Sequence, residues 1–238
     1  MPRTATTTRH KDRNMGACLT SDGVAGSRAR SDSNLTATGA QAFSFGAWVF
    51  FENPAIGVNQ IAVHYDAAPA DPAFGVIDTG AFYFATANTN PQSTFAKSKT
   101  WHHMVQTYDG ITTHNFYVDG LLSGTRLSEA YNNTAGPLYM MGFLTTFSPL
   151  KGRLDETFVI HSNLSLAQVQ DIYFRGTYPT TNLLYMHNNG SGTVSTDSSG
   201  TGNNATLTGG MGWSTEVKYQ LRTATSSRSA ASGRTQIT

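Results

Sequence analysis

The stretch from Trp101 to Gly120 leaves this chain few folds to adopt. In an extended strand, Met104, Gln106 and Tyr108 point one way and His103, Val105 and Thr107 the other, because strand side chains alternate with period two. Asp109-Gly110 and Asp119-Gly120 supply the positive φ that tight hairpin turns demand. Between them, Asn115 to Val118 is a short run of aromatic and β-branched residues, which favour strands. The pattern predicts neighbouring antiparallel strands with two reversals. It constrains the fold far more than the chemistry.

The rest of the chain extends the same pattern. Ala42 to Phe51 reads as a strong strand, with Phe43, Phe45, Ala47, Val49 and Phe51 alternating with Ser44, Gly46, Trp48 and Phe50. Both faces are largely apolar, so burial on both sides is expected. Ile56 to Tyr65 and Ala73 to Ala85 predict further strands, the second folded back on itself at Asp78-Thr79-Gly80. Asn88 to Gln92 reads as a loop. Leu121 to Leu127, Leu138 to Phe143 and Leu154 to His161 complete the strand pattern. One helix is expected near residues 165–174. Ser165 and Gln168 have the spacing of a capping box, Leu166, Val169, Ile172 and Tyr173 share a face, and Gly176 and Pro179 end it. Only 13% of residues are charged, which suits many short strands joined by Gly-, Ser-, Thr- and Asn-rich turns. The 13 Phe and 10 Tyr are enough to fill one large core.

Four segments carry a family resemblance. Trp101-x-His103…Tyr108-Asp109-Gly110…Tyr117-Val118-Asp119-Gly120 is similar to the signature of laminin-G-like, concanavalin A-like jelly rolls. Phe43-Ser-Phe-Gly-Ala-Trp48, Gly152-Arg-Leu-Asp-Glu-Thr-Phe-Val-Ile160 and Ser165-Leu-Ala-Gln-Val-Gln-Asp-Ile-Tyr173 resemble the family's early strand, late strand and closing helix. The resemblance covers roughly residues 19–176. It implies an all-β fold, a sandwich of two antiparallel sheets of jelly-roll type with one short helix. The family's signature histidine is structural, which implies a packing role for His103. A second motif, Gly190-Ser-Gly…Asp197-Ser-Ser-Gly-Thr-Gly-Asn203…Leu207, resembles the segment that usually opens such a domain, yet here it follows the closing helix. Either this segment opens a second, truncated domain or the domain is permuted; because an isolated pair of strands is marginal in water, we expect residues 183–213 to complete the sandwich as a permuted opening segment. The expected boundaries are an arm over 1–17, the sandwich over 18–215 and an arm over 216–238.

The charges are unevenly placed. Arg3, Arg9, Lys11 and Arg13 at one end, with Lys218, Arg222, Arg228 and Arg234 at the other, give the two ends eight basic against two acidic residues. The body between them has eight basic and 13 acidic residues. Solvated tails are one reading, and assembly arms that meet an acidic neighbour, rather than nucleic acid, are the other. No apolar run is long enough for a membrane span, and the first residues lack the apolar stretch of a secretory leader. The lone Cys18 excludes an intrachain disulfide.

For chemistry, the glucanases of this fold carry a strand with Glu-x-Asp-x-x-Glu, which aligns two glutamates. The chain lacks that motif, so no enzyme activity is expected. Asp155 and Glu156 are adjacent and are expected on opposite faces of their strand. The resemblance implies a structural Ca2+ on Asp155, with Asp22 as the nearest early partner; the alternative is that Asp155 accepts hydrogen bonds from backbone amides. The leading functional expectation is a non-enzymatic virion structural protein, used in capsid decoration or tail attachment and contacting other virion proteins or copies of itself. The alternative is a carbohydrate-binding module for surface adhesion, outside the cell or at its surface.

Overall fold

The computed structural model describes residues 16–35, 41–65, 72–86, 89–127, 131, 135–142 and 149–216. The predicted arm residues Arg3, Arg9, Lys11, Arg13, Lys218, Arg222, Arg228 and Arg234 lie outside them.

The chain order is β1 (Cys18–Asp22), β2 (Arg28–Ser31), β3 (Phe43–Phe51), β4 (Gln60–Tyr65), β5 (Ala73–Val76), β6 (Ala81–Ala85), β7 (Thr89–Phe95), β8 (Thr100–Tyr108), β9 (His114–Val118), β10 (Leu121–Arg126), β11 (Leu138–Met140), β12 (Lys151–Ile160), α1 (Leu166–Arg175), β13 (Leu183–Tyr185), β14 (Val194–Ser195), β15 (Ala205–Thr208) and β16 (Met211–Ser214). They form two antiparallel sheets. The first runs β10-β9-β8-β3-β12-β1-β16, with β13 also on β12; the second runs β14-β15-β2-β11-β4-β5-β6-β7. β12 is long enough to hold two partners along one edge, with β1 at Lys151–Leu154 and β13 at Thr157–Val159.

Aromatic residues fill the space between the sheets. Phe43, Phe45, Val49 and Phe51 project inward from β3, and Phe45 meets Phe74 at 5.2 Å between ring centres. Phe84 stacks on Phe116 at 4.9 Å. Each such ring, fully buried, stabilises by about 1.5–3 kcal/mol. The other side of β3 is buried because α1 lies across it. Trp48 stacks on Tyr173 of the helix at 5.3 Å, and Val105, Phe158, Ile160, Val169 and Ile172 form a second cluster beneath it. Ser44 fixes the approach to the helix, donating to the Ser162 carbonyl and accepting from the Leu164 amide.

The helix begins at the expected capping box and ends at Gly176 in the left-handed conformation. Its buried face is Val169, Ile172 and Tyr173. Leu166, predicted on that face, is 44% exposed. Three strand boundaries also differ. β4 starts only at Gln60, leaving Ile56 and Val58 exposed, and β11 stops at Met140, where Met141 takes φ +62°. The predicted loop over 88–92 mostly belongs to strand β7, where Pro91 pairs with Tyr83. Proline has no amide proton to donate, but β7 is the edge of its sheet and needs donors on one side only.

Candidate functional site

The signature residues build a scaffold. Asp119-Gly120 is a two-residue turn between β9 and β10, with φ +52° and +76°. A side chain at 120 would also strike the Tyr173 ring, 2.6 Å from an ideal Cβ. Asp119 then ties this turn back to β8. Its Oδ1 accepts from the His103 amide and its Oδ2 from His102 Nδ1, both at 2.9 Å. The Lys97 amide donates to His102 Nε2, so the proton sits on Nδ1. Burial acts to raise the Asp119 carboxyl, but the bonds from His102 and the His103 amide outweigh it and hold the group below its ordinary value.

The two histidines diverge as expected. His102 meets Phe82 across the core at 5.0 Å, while His103 packs under α1 against Trp48 and Tyr173 at 5.1 and 5.7 Å. Tyr117 joins the cluster beneath the helix. The first reversal is longer than a tight turn. Residues 109–113 form a loop in which Asp109 Oδ1 accepts from the amides of Ile111, Thr112 and Thr113, and Gly110 takes φ +84°. Tyr108 closes it by donating to the Ile111 carbonyl. At Gly152 an added Cβ would lie 1.9 Å from the Phe50 carbonyl oxygen, so only glycine lets β12 approach β3 there.

Asp155 and Asp22 are not brought together. In the antiparallel register Leu19 faces Leu154 and Asp22 faces Lys151. Asp22 is thus four strand residues, about 13 Å, from the level of Asp155. A calcium ion holds its oxygens at about 2.3–2.6 Å, so the two carboxylates do not fit one ion. Asp22 instead accepts from the Val24 amide at the turn into β2, and Asp155 Oδ1 accepts from the Glu156 amide. Among the described residues no three His, Cys, Asp or Glu side chains cluster as metal ligands. The expected simple alternation at Asp155-Glu156 also fails. β12 gains an extra residue there, Glu156 takes φ +47°, and its carboxylate accepts from Tyr178, whose ring packs on Phe158 under the helix.

The segment 183–214 contributes to both sheets. Asp197 accepts from the Leu184 and Ser199 amides and from the Ser199 and Thr201 hydroxyls. Burial opposes ionisation here, and these bonds together hold the carboxyl below its ordinary value. His187 is buried between the hydroxyls of Thr157 and Ser195, at 3.1 and 2.8 Å. Burial lowers it to about 3, so it is neutral at pH 7.

Two surface groups missed in the sequence stand apart from this scaffold. On the first sheet, beyond the reach of α1, Arg153, Phe50 and Trp101 lie in one cross-strand row. Phe50 and Trp101 are half-buried, with ring centres 5.5 Å apart. The Arg153 guanidinium lies 4.4 Å over the Phe50 ring and bridges Glu52 and Glu216. On the second sheet, His64, Tyr139, Arg30 and Thr206 form a row on the outer face. The signal for the latter was present in Arg28-Ala-Arg-Ser31, a period-two pattern that puts both arginines on one side of a strand.

Two antiparallel sheets, a covering helix and an aromatic surface row define a lectin-like sandwich. The chain belongs to the Laminin G 3 family, described as the concanavalin A-like lectin/glucanases superfamily, whose family model matches residues 22–170. No individually curated protein matches the sequence. Among solved structures, the chain is similar to a candidate carbohydrate-binding protein of Bacteroides ovatus, with TM-score 0.64 and 15% identity over 84% of this chain and 59% of that one. It is also similar to the heptameric pentraxin of Limulus polyphemus (TM-score 0.53, 13% identity, 68% of this chain and 85% of that one). A third likeness is to the receptor-binding domain of botulinum neurotoxin D (TM-score 0.52, 8% identity, 66% and 43%). These likenesses establish the fold. None concerns a virion, and no helix among the described residues is long and apolar enough to cross a membrane.

Proposed function

We propose that this protein is a non-catalytic carbohydrate-binding module, and that the Trp101–Phe50–Arg153 row is where a sugar ring stacks. The observation that carries the reading is the half-exposed Trp101 indole on the outer sheet face, beside a second aromatic ring. Exposed aromatic area costs free energy in water, and covering it with the apolar face of a sugar recovers that cost. Arg153 is held in place over Phe50 by Glu52 and Glu216, so the platform edge presents fixed donors and acceptors to sugar hydroxyls. The family membership supports a lectin-like role, and the absence of the paired-glutamate motif favours binding over hydrolysis.

The test is a glycan array followed by titration of the best ligand. Trp101→Ala is expected to weaken binding about tenfold or more while the melting temperature shifts little, because the ring is only half-buried. Unchanged affinity in Trp101→Ala, or no ligand for the parent protein, would overturn the assignment.

A further inference from the structure

We infer that the outer face of the second sheet is a separate anion site, with Arg28 and Arg30 as its cationic pair, and that it takes an acidic polysaccharide. The two residues sit two apart on β2, so their side chains share one face about 7 Å apart along the strand. Both are half-buried, and both guanidinium carbons stand near one ring, 6.0 and 5.9 Å from the centre of Tyr139. Tyr139 is itself held edge-on by His64 at 6.5 Å. The ring thus positions two like charges side by side, where cation–π attraction offsets part of their repulsion.

The counter-charge is what is missing. Among the described residues neither arginine has a carboxylate within ion-pair range. Arg30 Nη1 donates to the Ser31 carbonyl at 3.3 Å, a neutral acceptor. Asp32, next on that side of the chain, accepts from Thr206 Oγ1 at 2.6 Å instead. Two other described arginines do have carboxylate partners: Arg153 has Glu52 and Glu216, and Arg175 has Asp171. A half-buried guanidinium without a counter-ion is costly, and its planar fork of donors matches an oxyanion. Two forks spaced along a strand match an anion repeated along a chain, either a uronate carboxylate or a sulfate ester. Thr206 and Thr208, opposite Arg30 and Arg28, place hydroxyls on the same face. The polymer class rests on the carbohydrate-binding reading; the anion site itself does not.

The experiment is affinity electrophoresis of the full chain through gels containing polygalacturonate, dextran sulfate or neutral dextran. Two variants control it, R28Q/R30Q and the arm variant R222Q/R228Q/R234Q. We expect one or both polyanions, but not neutral dextran, to retard the parent, and which polyanion acts identifies carboxylate or sulfate. R28Q/R30Q should lose about tenfold or more in affinity, the worth of one or two charge-assisted hydrogen bonds. Its melting temperature should hold; if it falls, the single variant R30Q carries the comparison. No retardation, or retardation undiminished in R28Q/R30Q and lost in the arm variant, would overturn the site. Polyanion binding that survives Trp101→Ala while array binding is lost would leave both readings standing. An array with no neutral ligand, together with R28Q/R30Q-sensitive retardation, would sink only the aromatic platform.

Discussion

The hairpin region 100–126 and the late segment 183–214 are both polar, glycine-bearing stretches, yet they are held in opposite ways. β8, β9 and β10 form a meander in sequence order, joined to the rest of the sheet through β8 on β3, and Asp109 and Asp119 fasten its reversals. In the late segment β13 lies on β12 and β14 on β15, while β15 and β16 pair with the far end of the chain. Leu207 faces Ala29, Trp213 faces Leu19, and Asn203 accepts from the Ser33 amide across 170 residues. Local pairings close small loops at little entropic cost and fix their own register; distant ones need the rest of the sandwich as a template. The first region therefore sets the register of its own hairpins, and the second closes the sandwich from the far end of the chain.

The largest expected effect is on that closure. Truncation after Pro179 removes β13–β16 and with them buried Leu183, Tyr185, Ala205 and Leu207, and it bares the edges of β1, β2 and β12. Losses of about 1.5–3 kcal/mol for each large side chain approach the whole stability of a domain. Circular dichroism should show no cooperative unfolding of residues 1–179, and a cooperative transition would erase the contrast between the regions. Next comes Gly120→Val, which puts a β-branched residue at φ +76° and drives its Cβ into Tyr173. The expected loss is about 2–4 kcal/mol in urea unfolding; a loss below about 1 kcal/mol would mean that the helix yields to the turn.

A smaller, pH-dependent effect separates the regions further. His187 sits at about 3 in the folded protein and near its ordinary 6.5 when unfolded. The unfolded chain therefore binds the extra proton first. Stability is fully present above pH 6.5 and declines by about 1.4 kcal/mol per unit as pH falls towards 3, or about 2 kcal/mol by pH 5. His187→Gln should be less stable than the parent at pH 7, but should lose less of its stability than the parent does between pH 6.5 and 5. A parallel slope in both proteins would assign the acid sensitivity elsewhere. The smallest effect is local. Asp109→Ala should cost about 1 kcal/mol, the net worth of the amide bonds that order the 109–113 loop in water; denaturant melts of parent and variant decide it.

Legibility in the sequence followed the range of the interactions. Period-two runs marked β3 and β8, and Asp119-Gly120 marked the β9–β10 turn, because alternation and positive φ are properties of a few consecutive residues. Ser165, Gln168 and Gly176 bounded α1 for the same reason. The sequence over 88–92 reads as a loop where the structure has β7, since Pro91 is tolerated in a strand there by virtue of lying at a sheet edge. The paired Asp22 and Asp155 expected from the family resemblance were separated by the register of β1 against β12, which no local pattern reveals.

Both surface sites fall on the same divide. Trp101 was visible as a signature residue, but its row with Phe50 and Arg153 joins three strands. Arg28 and Arg30 were visible as alternating charges, but the ring that holds them is on β11, more than a hundred residues away. By itself the sequence determined the strands, the local turns and the helix, because those depend on propensity and spacing; the two-sheet sandwich was what the family resemblance implied. Only the tertiary structure decided which side chains share a face, because strand register and sheet order are set by contacts between residues far apart in the chain.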